Sequence, residues 1–201
     1  MRKLRLVLLF ACLLAIPAAT TSAQDFGIME SAETINQGNF KLRANPMLLF
    51  GRHGGDSDIG VAALLGYGFT PRFDMEGGIA LYDGVTFFGA NGEYWALKHA
   101  PIDFSIAFGL HRRVGDQTAD YNGIDLTFLP GGHVSPRLEV YAGLDFAFEG
   151  FGVPGDFKTA HLVPGLEYKV NDAIDLLAEL GIALNDNSRH YLSGGVAIYF
   201  R

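Results

Sequence analysis

Twelve ionisable side chains stand out because each falls in an apolar stretch that alternates two by two: Lys41, Arg43, Asp74, Glu76, Glu93, Asp103, Glu139, Asp145, Glu167, Lys169, Asp175 and Glu179. On an extended chain, two-residue spacing puts Lys41 with Arg43, Asp74 with Glu76, and Glu167 with Lys169 on one face. Nine of the twelve are acids. Gathered into one interior, they could pair and hydrate into a filling, because an unpaired buried charge is costly. They could equally line a narrow wet passage whose acidic ring prefers cations.

Catalytic chemistry has fewer candidates. His111, His161 and His190, with Ser188 or Asp186, are the residues that could supply a base, a nucleophile and an orienting acid. His190 and Ser193 are an odd number apart, so on a regular strand they face opposite sides. No His-Ser-acid set emerges, and a non-enzymatic role is expected. His53 and Asp56 in GRHGGDS, with Asp58 directly after it, could approach a divalent ion. Glycine, aspartate and serine are also ordinary turn residues, and the closing glutamate of a Ca²⁺ loop is missing. No phosphate-binding glycine pattern opens a helix, so neither metal nor cofactor is expected.

The elements that must position these residues are strands. Arg137 to Glu149 sets Leu138, Val140, Ala142, Leu144, Phe146 and Phe148 against Arg137, Glu139, Tyr141, Gly143, Asp145 and Glu149, a period of two. The same alternation predicts strands over 39–50, 58–69, 73–82, 86–97, 102–111, 122–133, 137–149, 159–169, 173–184 and 190–200. Short connections (TPR, KHAP, SP, ND) alternate with longer ones (GRHGGDS, RVGDQTADY, EGFGVPGDF), Asp83-Gly84 being an unusually short member of the second group. Pro130 with Gly131-Gly132 predicts a bulge in the sixth strand. With Pro164, it leaves eight or twelve strands as alternatives to ten. Residues 24–38 lack the alternation and read as a lead-in, with a helical turn at Glu30 to Ile35.

Residues 1–23 have the layout of a cleaved secretory signal peptide: Arg2, Lys3 and Arg5, an apolar run from Leu6 to Ile16, then Pro17 and the small residues Thr21, Ser22 and Ala23. The apolar run rises only ~16 Å as a helix, too little to span a ~30 Å hydrocarbon core. The lone cysteine, Cys12, sits inside that segment, so the mature chain has no thiol, disulfide or thiolate metal site. Three of the 15 basic residues and none of the 22 acidic ones precede residue 24, which leaves a formal charge of −10. Nucleic acid is therefore excluded as a partner on charge. Residues 39–201 make one domain.

Alternation alone does not say which face meets water. In a soluble periplasmic ligand-binding barrel the apolar face would point inward. Here the polar face is dominated by small residues such as Gly60, Gly66, Gly68, Gly78, Ala107, Gly109 and Gly143, which suit a narrow lumen. The apolar face carries Tyr67, Phe69, Phe73, Phe104, Phe108, Phe148, Tyr168 and Phe200 near strand ends, as aromatic girdles require. The expected fold is an all-β, antiparallel up-and-down transmembrane β-barrel.

The last strand, Ser193-Gly194-Gly195-Val196-Ala197-Ile198-Tyr199-Phe200, is similar to the C-terminal assembly signal of bacterial outer-membrane barrels, with Ser193, Gly195, Ile198 and Phe200 at its positions. Arg201 departs from that pattern, in which the aromatic is usually last. With the export segment, the whole chain resembles small bacterial outer-membrane β-barrel proteins of the OmpA/OmpX-like or porin-like kind. The resemblance implies the cell outer membrane, contact with outer-membrane lipid and the barrel-assembly machinery, and a structural or narrow passive-channel role for a small solute or ion. Some such barrels are lipid-modifying enzymes, which is the rival expectation.

Overall fold

The computed structural model describes residues 26–52, 55–98, 102–115, 120–151 and 157–201. The signal segment 1–23, Cys12 and His53 lie outside the described residues. Ten strands follow in order: β1 (Phe40–Leu49), β2 (Asp58–Thr70), β3 (Phe73–Tyr82), β4 (Val85–Leu97), β5 (Asp103–Gly115), β6 (Tyr121–Ser135), β7 (Leu138–Phe151), β8 (Phe157–Asn171), β9 (Ile174–Ala183) and β10 (Tyr191–Phe200). Each pairs antiparallel with its neighbour, and β1 pairs with β10 to close a barrel. Ten strands replace the alternatives of eight or twelve.

The prolines that left the strand count open are absorbed by gaps in the ladder. Proline has no N–H to give. The β6–β7 register therefore steps from Phe128↔Leu144 to Gly131↔Tyr141 around Pro130. The β8–β9 register likewise steps from Leu162↔Ile182 to Gly165↔Glu179 around Pro164, and the β1–β10 register from Ala44↔Val196 to Met47↔Ser193 around Pro46. No register is lost at these gaps. The bulge expected at Pro130 is not there; the β6 irregularities lie at Asn122/Gly123 and His133/Ser135. Further irregularities fall at Gly68/Thr70, Trp95/Leu97 and Lys169/Asn171. Four of the five stand at the short-turn rim, where a barrel must bend its strand ends.

Burial alternates as the sequence predicts. Along β1, Phe40, Leu42 and Ala44 are exposed while Lys41, Arg43 and Asn45 are buried. The outer wall is apolar, with Val61, Leu65, Phe108, Leu110, Leu144 and Leu176 all exposed. Near the short-turn rim, rings line up along it: Phe40 lies 5.6 Å from Phe200 and 4.8 Å from Tyr67, and Tyr67 lies 5.0 Å from Phe69. The Asp83-Gly84 connection is a two-residue hairpin turn in which Gly84 takes φ +68°, a conformation open to glycine.

Candidate functional site, the lumen and its plug

The lead-in is not helical. Residues 26–37 run through the lumen as irregular chain and leave it at the short-turn end, where the Gly38 amide donates to the Gly68 carbonyl at 2.9 Å. Buried backbone polar groups need partners, and here the wall supplies them to the Ile28 carbonyl and the Met29 and Ile35 amides. Ile28, Met29, Ala32 and Ile35 are buried among wall residues, Met29 and Ala32 completely. The small residues facing inward make the room. A Cβ on Gly143 would come within 2.3 Å of Ile28 Cδ1, one on Gly66 within 2.6 Å of Ile35 Cδ1, and one on Gly68 within 2.4 Å of the Ile35 and Asn36 carbonyl oxygens.

Polar contacts fasten the plug to three sides of the wall. Arg43 on β1 reaches Glu76 on β3 at 3.0 Å and Glu30 of the plug at 3.5 Å, and donates to the Ile28 carbonyl at 2.6 Å. Lys41 joins Glu76 at 3.0 Å. Two wall carboxylates take plug amides instead of cations. Asp74 accepts from the Ile35 N–H at 2.6 Å, and Glu179 accepts from the Met29 N–H at 2.6 Å together with the Tyr141 and Tyr191 hydroxyls at 3.1 and 2.9 Å. Hydrogen bonds to a charged group contribute about 1.5–3 kcal/mol each, so these amides are substantial partners.

Ten of the twelve ionisable residues singled out by spacing are buried on the inner face. Glu93 pairs with Ser105, Asp103 accepts from the Trp95 indole at 3.1 Å, and Asp145 accepts from Thr127 at 2.7 Å. Glu139 and Asp175 sit near the short-turn mouth beside half-buried Glu167. Lys169 is exposed at the rim, 2.9 Å from Asp172. Its hydrogen bond and charge hold the turn carboxyl of Asp172 below the ordinary aspartate range. The buried carboxylates thus meet neutral donors, among them plug amides and the Tyr141, Tyr191, Ser105 and Thr127 hydroxyls, as well as Lys41 and Arg43.

Three participants stand outside the twelve. Glu30 lies in the non-alternating lead-in and gave no periodic signal. Glu149 is on the inner face that its parity with Glu139 and Asp145 assigns it. Asp125 belongs to a weakly patterned strand. His111, Asp125 and Glu149 form a chain near the long-loop end, with His111 Nδ1 2.8 Å from Asp125 and Nε2 3.6 Å from Glu149.

The candidate catalytic residues are otherwise engaged. The Ser188 hydroxyl donates to the Ala160 carbonyl at 2.9 Å and accepts from the Ala160 N–H at 2.8 Å, which pins the β9–β10 loop. His161 faces the Arg189 carbonyl at 3.0 Å, and His190 accepts from the Ala183 N–H at 3.1 Å. Asp58, the first residue of β2, is bound by Arg189, which also donates to the Asp56 carbonyl of the preceding loop. In the last strand, Ser193 faces inward and donates to the Pro46 carbonyl at 2.9 Å, and Gly195 lies against Met29 and Asn45. Ile198 and Phe200 point outward.

Two cavities flank the plug. One of about 90 Å³ touches Phe26, Gly27, Ile28 and Glu30 and the His111–Asp125–Glu149 chain. The other, about 210 Å³, touches Ser31, Glu33 to Asn36 and the short-turn mouth. They share no lining residue.

No family profile matches the chain, and no curated protein sequence matches it. Solved structures do. An outer-membrane channel of the COG4313 group from Pseudomonas putida F1 superimposes with TM-score 0.54 at 10% identity, covering 89% of this chain and all of that one. The KdgM porin gives 0.47 at 13% identity, covering 80% and 99%. The Yersinia pestis outer membrane protein Ail gives 0.41 at 12%, covering 80% and 99%. By its fold, this chain is a closed ten-stranded antiparallel β-barrel, similar to that of the COG4313 outer-membrane channel.

Proposed function

We propose that the chain resides in the outer membrane as a stoppered barrel, structural in role and closed to passive flow while residues 26–37 occupy the lumen. The observation that carries this reading is the burial of Ile28, Met29 and Ile35 against the inner faces of β7, β10 and β2 in turn. The exposed apolar outer wall fits lipid contact, and the last strand offers the barrel-assembly machinery its recognition pattern. The engagement of Ser188 with Ala160 supports a non-enzymatic role.

A second reading follows when the plug leaves. Asp74 and Glu179 then lose their amide donors and face an open, acid-rich lumen, which favours cations. Planar-bilayer recording tests both readings. The intact chain should be silent, and a chain lacking residues 26–37 should give discrete cation-selective steps. Equal stepping from both proteins would sink the stopper. Recovery of the folded protein in an osmotic-shock supernatant rather than in heat-modifiable membrane form would favour the soluble barrel instead.

A further inference from the structure

We propose that Glu33 of the plug, His133 of β6 and Glu139 of β7 form a divalent-cation site that clamps the plug to the wall at the short-turn mouth. The three come from separate parts of the chain, and one donor atom from each lies within 4.8 Å of the others. Glu33 Oε1 is 3.2 Å from His133 Nε2, and Glu139 Oε2 is 4.0 Å from His133 Nδ1.

The donor set and its surroundings both point to a cation. One imidazole and two carboxylates suit zinc, with further positions left for water. Two negative charges match a divalent ion. Glu139 is 5% exposed, and its Oε1 is buried without a hydrogen-bond partner, while Ser31 and the Ala32 amide flank the carboxyl. A carboxylate oxygen left so is costly unless something else meets it. The lysines of the same mouth are engaged elsewhere, Lys41 with Glu76 and Lys169 with Asp172.

Access and adjustability complete the case. The His133 side chain is 52% exposed and that of Glu33 35%, and both border the cavity of about 210 Å³. Zinc bonds of about 2.0–2.2 Å bring ligand atoms to roughly 3–3.5 Å from one another. The Glu33 Oε1–His133 Nε2 edge already meets this. The Glu139 contact is to the other ring nitrogen, so the exposed ring must turn until one nitrogen faces both carboxylates, whose nearest oxygens lie within 4.8 Å of it.

The binding site stands on these residues alone; its consequence, a locked plug, rests on the stopper reading. The test uses the tag-free, chelator-stripped full chain in detergent, titrated calorimetrically with ZnCl₂ at neutral pH. One zinc per chain is expected, with affinity falling about tenfold or more in His133→Ala and in Glu33→Gln. Heat-modifiable migration checks that each variant is folded; both positions are partly exposed, so both should be. Zinc should also slow thermolysin cleavage within residues 26–37 of the parent and leave Glu33→Gln unprotected. Absence of saturable binding overturns the site. Binding that survives Glu33→Gln overturns the clamp, because the plug then supplies no ligand. A chain that binds zinc through all three residues yet conducts freely refutes the stopper and leaves the site intact; a silent chain that ignores zinc does the reverse.

Discussion

The two halves of the lumen carry similar acidic walls and satisfy them differently. Where the plug lies against the wall, Asp74, Glu76 and Glu179 meet plug amides, Arg43 and Lys41. In the long-loop half, Asp125, Asp145 and Glu149 meet His111 and Thr127 beside a cavity of about 90 Å³. A carboxylate inside a narrow barrel needs donors, and the donors can belong to a peptide segment or to the wall itself. The plug is therefore part of the wall's hydrogen bonding. Removing it changes the wall as well as the bore.

That contrast can be broken by substitution. Arg43→Ala should have the largest effect, because it leaves Glu76 to Lys41 alone, takes the guanidinium from Glu30 and frees the Ile28 carbonyl together. A broken buried pair costs about 3–5 kcal/mol, readable as a lowered denaturant midpoint of the folded protein in micelles. His111→Ala, its counterpart in the long-loop half, should cost less, since water in the adjacent cavity can take over its contacts. Equal losses would show that the plug network has no special weight. Gly143→Val should come next. It overfills the space taken by Ile28 at a cost of about 1–3 kcal/mol, and should make residues 26–37 cleavable by thermolysin while the barrel stays heat-modifiable. A protected plug in that variant would contradict its tight seating.

Lys169→Ala should do least. The depressed Asp172 carboxyl in principle adds stability above its unfolded pKa that is lost as pH falls through the folded one. The group is fully exposed, however, so water and salt screen the interaction. Neither the denaturant midpoint nor its dependence on pH below 4 should differ from the parent.

The barrel was legible in the sequence because its information is periodic. Arg43 and Glu179 lie far apart in sequence, yet each declares its face by the apolar residues on either side. The plug was not legible for the converse reason. Phe26, Ile28, Met29, Ala32 and Ile35 follow no period, and the backbone turns at Gly27 and at Met29, where φ is +67° and +47°. A signal for it existed in two pieces. Small inward residues on several strands implied a space, and an apolar lead-in without a partner implied something to fill it. Joining them needs the register that sets Gly66, Gly143 and Gly195 around one axis. The Glu33–His133–Glu139 group needed the same register, since its members are about a hundred and six residues apart.

The plug also bridges the barrel's seam. β1 and β10 are joined last in sequence terms, across about 150 residues, and closing so long a loop costs more entropy than forming any neighbouring hairpin. Arg43 and Asn45 on β1 hold the Ile28 and Phe26 carbonyls, while Glu179 on β9 holds the Met29 amide. The segment attached to the first strand thus grips the strand next to the last. It acts as a splint that brings the two ends of the sheet within pairing distance, so the folding rate of the barrel should depend on residues that form no part of its wall.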